Sequence, residues 1–405
     1  MNQLANRRPR WFSIFLISEA LMTYTHAAVL PTNGTEHLQA TATRIADTAA
    51  SMAAVIDRHR RLPNPVLTEL AVSGLLRAGA PIETDGLELD PGTSLRCAET
   101  IARGNASVGW CVSIATASSL LQAYMPESSR TTFFGNGIGV AAGVWAPRGR
   151  ARRVPGGIQV TGRWQFCSGV NHSGMFFGGC IVDEGPEHSV VAIPVADLEI
   201  IDTWHTLGLR GTGSDDVVAT DVFVPHDRVI SLTEGPLINR ALYRFPIFGY
   251  FACSIAAAAL GNARAAIDGF IGLAATKKAG GSSRTLAERQ TVQGAVAAVE
   301  ASVRSARALF YQAIENAWAA SQADALTADD RVQLRLAATH SVRTATDVVR
   351  TVYDLAGASA IYDDAPLQRQ LRDAFTASAH FQVSDTSFES TGRILVHRPA
   401  NVARM

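Results

Sequence analysis

The sequence has no excess of either charge: 36 Lys and Arg balance 36 Asp and Glu over 405 residues. Nucleic-acid binding rests largely on phosphate neutralisation, so this balance gives no electrostatic reason to expect a nucleic-acid partner. Cysteine is scarce. The five thiols, Cys97, Cys111, Cys167, Cys180 and Cys253, form no CxxC pair and lie mostly among apolar or small residues. That pattern fits reduced packing cysteines of a cytoplasmic protein and argues against a disulfide frame or a zinc knot. No GxGxxG fingerprint follows a strand, and GNGIGV from Gly135 lacks the βαβ context, so the chain is not expected to oxidise NAD(P)H itself. Short repeats and low-complexity linkers are also missing. Near the start, WFSIFLI follows Arg7, Arg8 and Arg10 but is too short to span a bilayer, and no other run resembles a membrane helix. Residues 1–35 read as an extension, disordered or begun upstream of a working start at Met22, with a short signal peptide as the alternative.

What is present falls into three blocks. Over 36–140 apolar residues recur at helical spacing, as in LQATATRIADTAASMAAVIDRHR and NPVLTELAVSGLLRAGA, so a helical domain is expected there. Over 141–240 short alternating or β-branched runs take over, GIQVTGRWQF, MFFGGCIV, SVVAIPV and DVVATDVFVP, punctuated by Gly and Pro. They predict an antiparallel β-barrel or sandwich. Over 241–405 three Ala-lined amphipathic stretches, each beyond twenty residues, predict a bundle of long antiparallel helices. The class is α+β, in the order helices, sheet, helical bundle.

One stretch concentrates reactive side chains: GRWQFCSGVNHSG, Gly162 to Gly174. Strand alternation puts Trp164, Phe166 and Ser168 on one face and Arg163, Gln165 and Cys167 on the other. A WxF pair taken alone suits core packing; with Ser168 on the same face it also suits one wall of a site.

The strings GRWQFCSG, DTWHTLGLRGTGSDDVVATDVFVP and DLAGASAIYDDAPLQRQLRDAFTASAHF, in that order, resemble the acyl-CoA dehydrogenase fold superfamily. The last two are similar to its flavin-dependent monooxygenase branch, the oxygenase components of two-component systems, and the resemblance runs from about residue 36 to residue 397. It implies an N-terminal helical domain, a central β domain and a C-terminal four-helix bundle. It also implies an enzyme that takes reduced FMN or FAD from a separate flavin reductase, reacts it with O2 through a C4a-hydroperoxyflavin, and oxygenates a small organic molecule. The product would be a hydroxylated carbon or an oxidised nitrogen.

The resemblance also assigns residues. Counting from Asp373 places His380 and Phe381 where the dehydrogenases carry Tyr and a catalytic Glu. An imidazole with an ordinary pKa near 6.5 can give and take a proton at neutral pH, which suits support of the hydroperoxide. Ser168 is expected at the flavin N5 edge, with Trp145, Trp164, Phe166 and Gly169 along the ring. Trp204, Thr212 and Ser214 belong to a Gly-rich turn at the flavin, and Arg210 there either touches the ligand or pairs with a carboxylate. Arg284, between two long helices, is expected to reach the flavin phosphate of a neighbouring subunit, which requires an oligomer, in this family usually a tetramer. His172 and His205 read as structural. For substrate, Trp110, Ser118 and Ser119 are expected contacts. Ser118 stands where phenol hydroxylases often have His, and a neutral hydroxyl cannot act as a base toward a phenol. The rivals are an acyl-thioester dehydrogenase with bound FAD and a non-catalytic flavin- or ligand-binding scaffold.

Overall fold

The computed structural model describes residues 34–135, 139–183, 188–278 and 280–400; Arg7, Arg8, Arg10 and Met22 of the expected extension lie outside them. Helix α1 (Gly34–Ser51) buries Leu38, Ala42, Ile45 and Ala49 along one stripe, the spacing that makes a helix amphipathic. Short helices α2 (Ala53–His59) and α3 (Asn64–Ser73) follow. Helix α4 (Pro91–Gly104) starts cleanly: Pro91 occupies the first turn and Asp90 accepts the Thr93 N–H at 2.9 Å. Helix α5 (Ala106–Ser119) is capped by Asn105 and buried along its whole length, so it is apolar all round. Helix α6 (Glu127–Phe134) leads into the sheet.

The sheet has seven strands: β1 (Ala141–Val154), β2 (Gly157–Trp164), β3 (Met175–Val182), β4 (His188–Pro194), β5 (Glu199–Ile201), β6 (Asp216–Pro225) and β7 (Val229–Ser231), in the order β5-β6-β2-β1-β3-β4-β7. Its pairings are antiparallel except β1 with β3, which is parallel. Alternation within a strand carries no information about which way its neighbour runs, so this mixed topology corrects the purely antiparallel expectation. Trp164, Phe176, Cys180, Val191 and Val217 fill the core against the sheet.

After the sheet come a short α7 (Ala241–Arg244) and the long helices α8 (Ile247–Thr276), α9 (Gln290–Gln322) and α10 (Ala328–Ala356), then α11 (Pro366–Ser378) and α12 (Asp385–Leu395). By length and composition α8 could cross a membrane, yet 83% of its most apolar stretch is buried by the rest of the chain. That is the setting of a core helix. Leu95, Ala102, Trp110 and Ile114 of the N-terminal helices share one hydrophobic cluster with α8, α10 and α11, so the outer blocks of the sequence meet in a shared core. Small residues make the contact close. At Gly261 of α8 a Cβ would lie 2.2 Å from the Glu99 carbonyl oxygen of α4, and Glu99 is itself held by the Arg307 guanidinium (2.6 Å) and the Tyr311 hydroxyl (2.5 Å) of α9.

Gly261→Ala is therefore expected to destabilise by roughly 1–3 kcal/mol, because backbone must shift to admit the methyl. Gly269→Ala, in the same helix but with nothing within 4 Å of the added atom, is expected to be neutral or stabilising by up to about 1 kcal/mol. Denaturant unfolding of the two variants measures both.

Candidate active site

A cavity of about 1110 Å3 opens where the sheet meets α5, α8 and α11. Four segments of chain build its wall. The first is a defect in β1: its register against β3 shifts between Val144 and Gly149, and residues Gly143 to Arg148 line the cavity. A β-bulge re-aims side chains in this way, and here it presents Trp145, whose carbonyl oxygen lies 2.6 Å from His188 Nε2.

The second segment follows β2. The strand ends at Trp164, and Phe166 adopts a left-handed φ of 67°, which breaks the alternation. Trp164 is fully buried in the sheet core, where its indole N–H donates to the Gly179 carbonyl at 2.8 Å. It does not line the cavity, which corrects its expected place beside the flavin. Phe166 is 66% exposed at the cavity wall, edge-on to Trp204 with ring centroids 6.2 Å apart. Cys167 is buried, and burial holds its thiol well above the ordinary pKa. Ser168 lines the cavity, as does Gln165.

The third segment is the turn from Thr203 to Ser214. Buried Asp215 anchors it by accepting the Thr203 and Trp204 N–H groups (3.2 and 3.1 Å) and the Asn171 amide (2.8 Å). From α11, Arg372 donates to the Leu207 carbonyl at 2.7 Å and Asp373 accepts the Leu209 N–H at 2.6 Å. At Gly208 a Cβ would lie 2.2 Å from the Arg372 backbone, so only glycine fits. On the cavity side the turn carries hydroxyls in series. Trp110 Nε1 lies 3.0 Å from Ser168 Oγ, Ser168 Oγ 2.8 Å from Ser214 Oγ, Ser214 Oγ 2.7 Å from Thr212 Oγ1, and Thr212 Oγ1 donates to the Leu209 carbonyl at 2.8 Å.

The fourth segment is aromatic. His380, just beyond α11, is edge-on to Trp110 (5.9 Å) and Phe251 (5.4 Å) and stacked on Phe381 (4.9 Å); Phe251 in turn packs on Trp145 (5.1 Å). Phe248 and Phe251 on α8, and Arg335 on α10, are site residues that sequence reading missed. A pair of phenylalanines three apart at a helix start was the available signal for the first two, since that spacing shares one helix face. Arg335 gives no such signal, being one of many arginines. Its guanidinium donates to the Gln382 carbonyl at 2.7 Å and also bonds the Gln382 side chain, while burial lowers its pKa to about 10.

Among the described residues no Asp or Glu lines the cavity, whereas Arg148, Arg335, His188 and His380 do. Burial, with Arg335 as a second cause, lowers His380 to about 4. The expectation of proton exchange near pH 6.5 is thereby revised: at neutral pH the ring is uncharged. Its Nδ1 accepts the Gln382 N–H at 3.2 Å, so the single ring hydrogen sits on Nε2.

Of the expected site residues, the structure brings Trp110, Trp145, Phe166, Ser168, Trp204, Thr212, Ser214 and His380 to one cavity. The others lie elsewhere. Arg210 is used structurally, donating to the Thr206 carbonyl at 2.8 Å and pairing with Asp57 at 3.7 Å. Gly169 holds a φ of 76° beneath the His172 ring and does not line the cavity. Ser118 and Ser119 are buried off the cavity, with the Ser119 hydroxyl committed to the Thr116 carbonyl at 2.8 Å. That corrects their expected contact with substrate. Arg284 is exposed in the loop between α8 and α9 and does not line the cavity. His205 is exposed beside Asp202, and burial lowers His172 to about 4.

Comparison with known proteins adds to this geometry. Residues 32–134 match the family model for the acyl-CoA dehydrogenase N-terminal domain and residues 253–385 that for the acyl-CoA dehydrogenase C-terminal domain, together more than half of the chain. The chain is 32% identical over 342 residues to an indole-3-acetate monooxygenase of Pseudomonas putida, covering 83% of this chain and 87% of that protein. It is 30% identical over 347 residues to the flavin-dependent monooxygenase oxygenase subunit HsaA of Rhodococcus jostii, covering 79% and 88%. Among solved structures, XiaF from Streptomyces, in complex with FADH2 and glycerol, superimposes with a TM-score of 0.83 at 26% identity, over 96% of this chain and all of that one.

The lowered pKa of His380 makes a prediction for the ligand-free protein. The folded value lies below the roughly 6.5 of an unfolded chain, so this group costs stability as pH falls from about 6.5 toward about 4. Imidazole nitrogen shifts measured by NMR are expected to stay those of a neutral ring protonated at Nε2 down to about pH 5; titration near 6.5 would contradict the assignment.

Proposed function

The chain belongs to the acyl-CoA dehydrogenase fold family and, within it, to the flavin-dependent monooxygenases that are oxygenase components, and from that membership we propose how its cavity works. It is an oxidoreductase. One atom of O2 enters a small organic substrate and the other leaves as water, with two electrons and two protons supplied by a reduced flavin that a separate reductase provides. The observation that carries this reading against an acyl-thioester dehydrogenase is the cavity's charge. A dehydrogenase of that kind needs a carboxylate to remove the α-proton, and no described carboxylate lines this wall. A non-catalytic scaffold would not require hydroxyls in series or an oriented neutral imidazole at the same cavity.

The residues fit a flavin. A ring system and a substrate together match a cavity of this volume, and the wall pairs flat aromatic surface with hydroxyls, the chemistry an isoalloxazine edge requires. Trp204 and Phe166 would flank the ring, and Ser168 would meet its N5 edge. The isoalloxazine shared by FMN and FAD is what these residues address. When bound, the reduced flavin supplies the electrons that activate dioxygen. His380 would hold a hydrogen at Nε2 toward the oxygen chemistry, and Arg335 and Arg148 favour an anionic occupant of the cavity. Trp110, Trp145, Phe248 and Phe251 would exclude water and sandwich a planar substrate. An aromatic ring suits this box, in keeping with a relative named for indole-3-acetate. Arg284, exposed at one end of the bundle, would reach the flavin phosphate of a neighbouring subunit in a homotetramer. Five buried free thiols suit the cytoplasm.

His380→Ala is expected to leave the fold intact, lower product formation by roughly 100-fold or more, and raise hydrogen peroxide released per reduced flavin consumed. Ser168→Ala is expected to raise peroxide as well, with a smaller loss of product. Parallel product and peroxide assays with supplied reduced flavin test both. Unchanged coupling in His380→Ala, or reduction of bound oxidised flavin by an acyl thioester under nitrogen, would overturn the reading.

A further inference from the structure

The hydroxyl series at the cavity can run in only one direction. An indole N–H is a donor only and a carbonyl oxygen an acceptor only, so both ends are pinned. At 2.8 Å from the Leu209 carbonyl, Thr212 must place its hydrogen between the two oxygens. Ser214 must then donate to Thr212, Ser168 must donate to Ser214, and Trp110 donates to Ser168. The Ser168 hydrogen is thereby committed. What Ser168 offers the cavity is its remaining lone pair.

The accepting end depends on one buried carboxylate. Leu209 has a φ of 49°, a left-handed conformation that crowds the Cβ of a leucine against backbone. It persists because its N–H is held by Asp373 Oδ1 at 2.6 Å while its carbonyl receives Thr212 and the Trp204 indole, the latter at 2.9 Å. Asp373 does not itself line the cavity, and its hydrogen bond goes to the Leu209 backbone and to none of the hydroxyls. Released from Asp373, Leu209 relaxes toward the right-handed region and its carbonyl swings off Thr212. The Thr212 hydrogen is then free to turn to Ser214, and the series can reverse, pointing the Ser168 hydrogen into the cavity.

We propose that Asp373 is a positioning residue that acts through Leu209 to fix the direction of this series, and that the fixed direction makes the site favour reduced over oxidised flavin. The inference rests on the flavin reading above and names a selectivity within it. Reduced flavin carries a hydrogen on N5 and needs an acceptor there; oxidised flavin has a bare N5 and needs a donor. A Ser168 that can only accept satisfies the first and leaves the second facing a lone pair.

The test is the ratio of dissociation constants for oxidised and reduced forms of FMN and of FAD, titrated under nitrogen against the full chain. Thr212→Val removes the accepting end of the series while keeping side-chain shape, and is expected to lower the oxidised-to-reduced ratio about tenfold, the worth of one hydrogen bond gained or lost. Asp373→Ala is expected to do the same, Asp373→Asn, which keeps an acceptor, to stay within about threefold of wild type, and the double variant Asp373→Ala with Thr212→Val to go no further than Thr212→Val alone. An unchanged ratio in Thr212→Val overturns the proposal whether or not the Asp373 variants fold. Equal weakening of both flavin forms in Asp373→Ala overturns the role given to Asp373. A wild-type chain that binds neither flavin overturns the flavin reading itself and this inference with it.

Discussion

The grip of Arg372 and Asp373 on the turn from Leu207 to Leu209 is the constraint on which the cavity depends. It spans two parts of the chain, a helix of the C-terminal bundle and a loop of the sheet, and backbone comes so close to backbone at Gly208 that no side chain fits between. The same arginine pairs with Asp57 at 3.1 Å, which brings the N-terminal helices into the junction. Three segments that the sequence keeps far apart thus meet beside Trp204, Thr212 and Ser214. An error of an ångström here would break hydrogen bonds between hydroxyls that depend on donor-to-acceptor distance.

The large blocks of the fold were legible because they rest on periodicity. Leu38, Ala42, Ile45 and Ala49 announce α1 by spacing alone, and the β-branched runs announce the sheet. Convergence on one cavity was legible where a motif carried it, as at Ser168, Thr212 and His380. It was misread at Trp164, because alternation was extended two residues past the end of β2 and the left-handed Phe166 reversed the faces. It was misread again at Ser118 and Ser119, since a helix buried on every side gives no pattern to say which face meets the cavity. The parallel β1–β3 pairing and the role of Arg335 depend on tertiary neighbours that no local window contains.

Electrostatically, the protein separates what its neutral overall charge conceals. Most of its ion pairs are partly exposed and contribute little individually. Inside, cations remain at the cavity wall while the described carboxylates stay off it, and burial drives the imidazole of His380 to its neutral form. A site of this kind stabilises negative charge that develops within it, and among the described residues it presents no carboxylate to take the α-proton of a thioester.

The shared core of the outer helices has a consequence for how the protein is made. Leu95, Ala102 and Trp110 leave the ribosome long before α8, their partner, because the entire sheet is encoded between them. At common synthesis rates the delay is on the order of ten seconds, during which the face of α5 that carries Trp110 and Ile114 lacks the α8 surface that covers it. The nascent chain is therefore most prone to aggregate while the sheet is being synthesised. A chain truncated before Ile247 would leave α5 without that cover, though the sheet and its strand pairings would be complete.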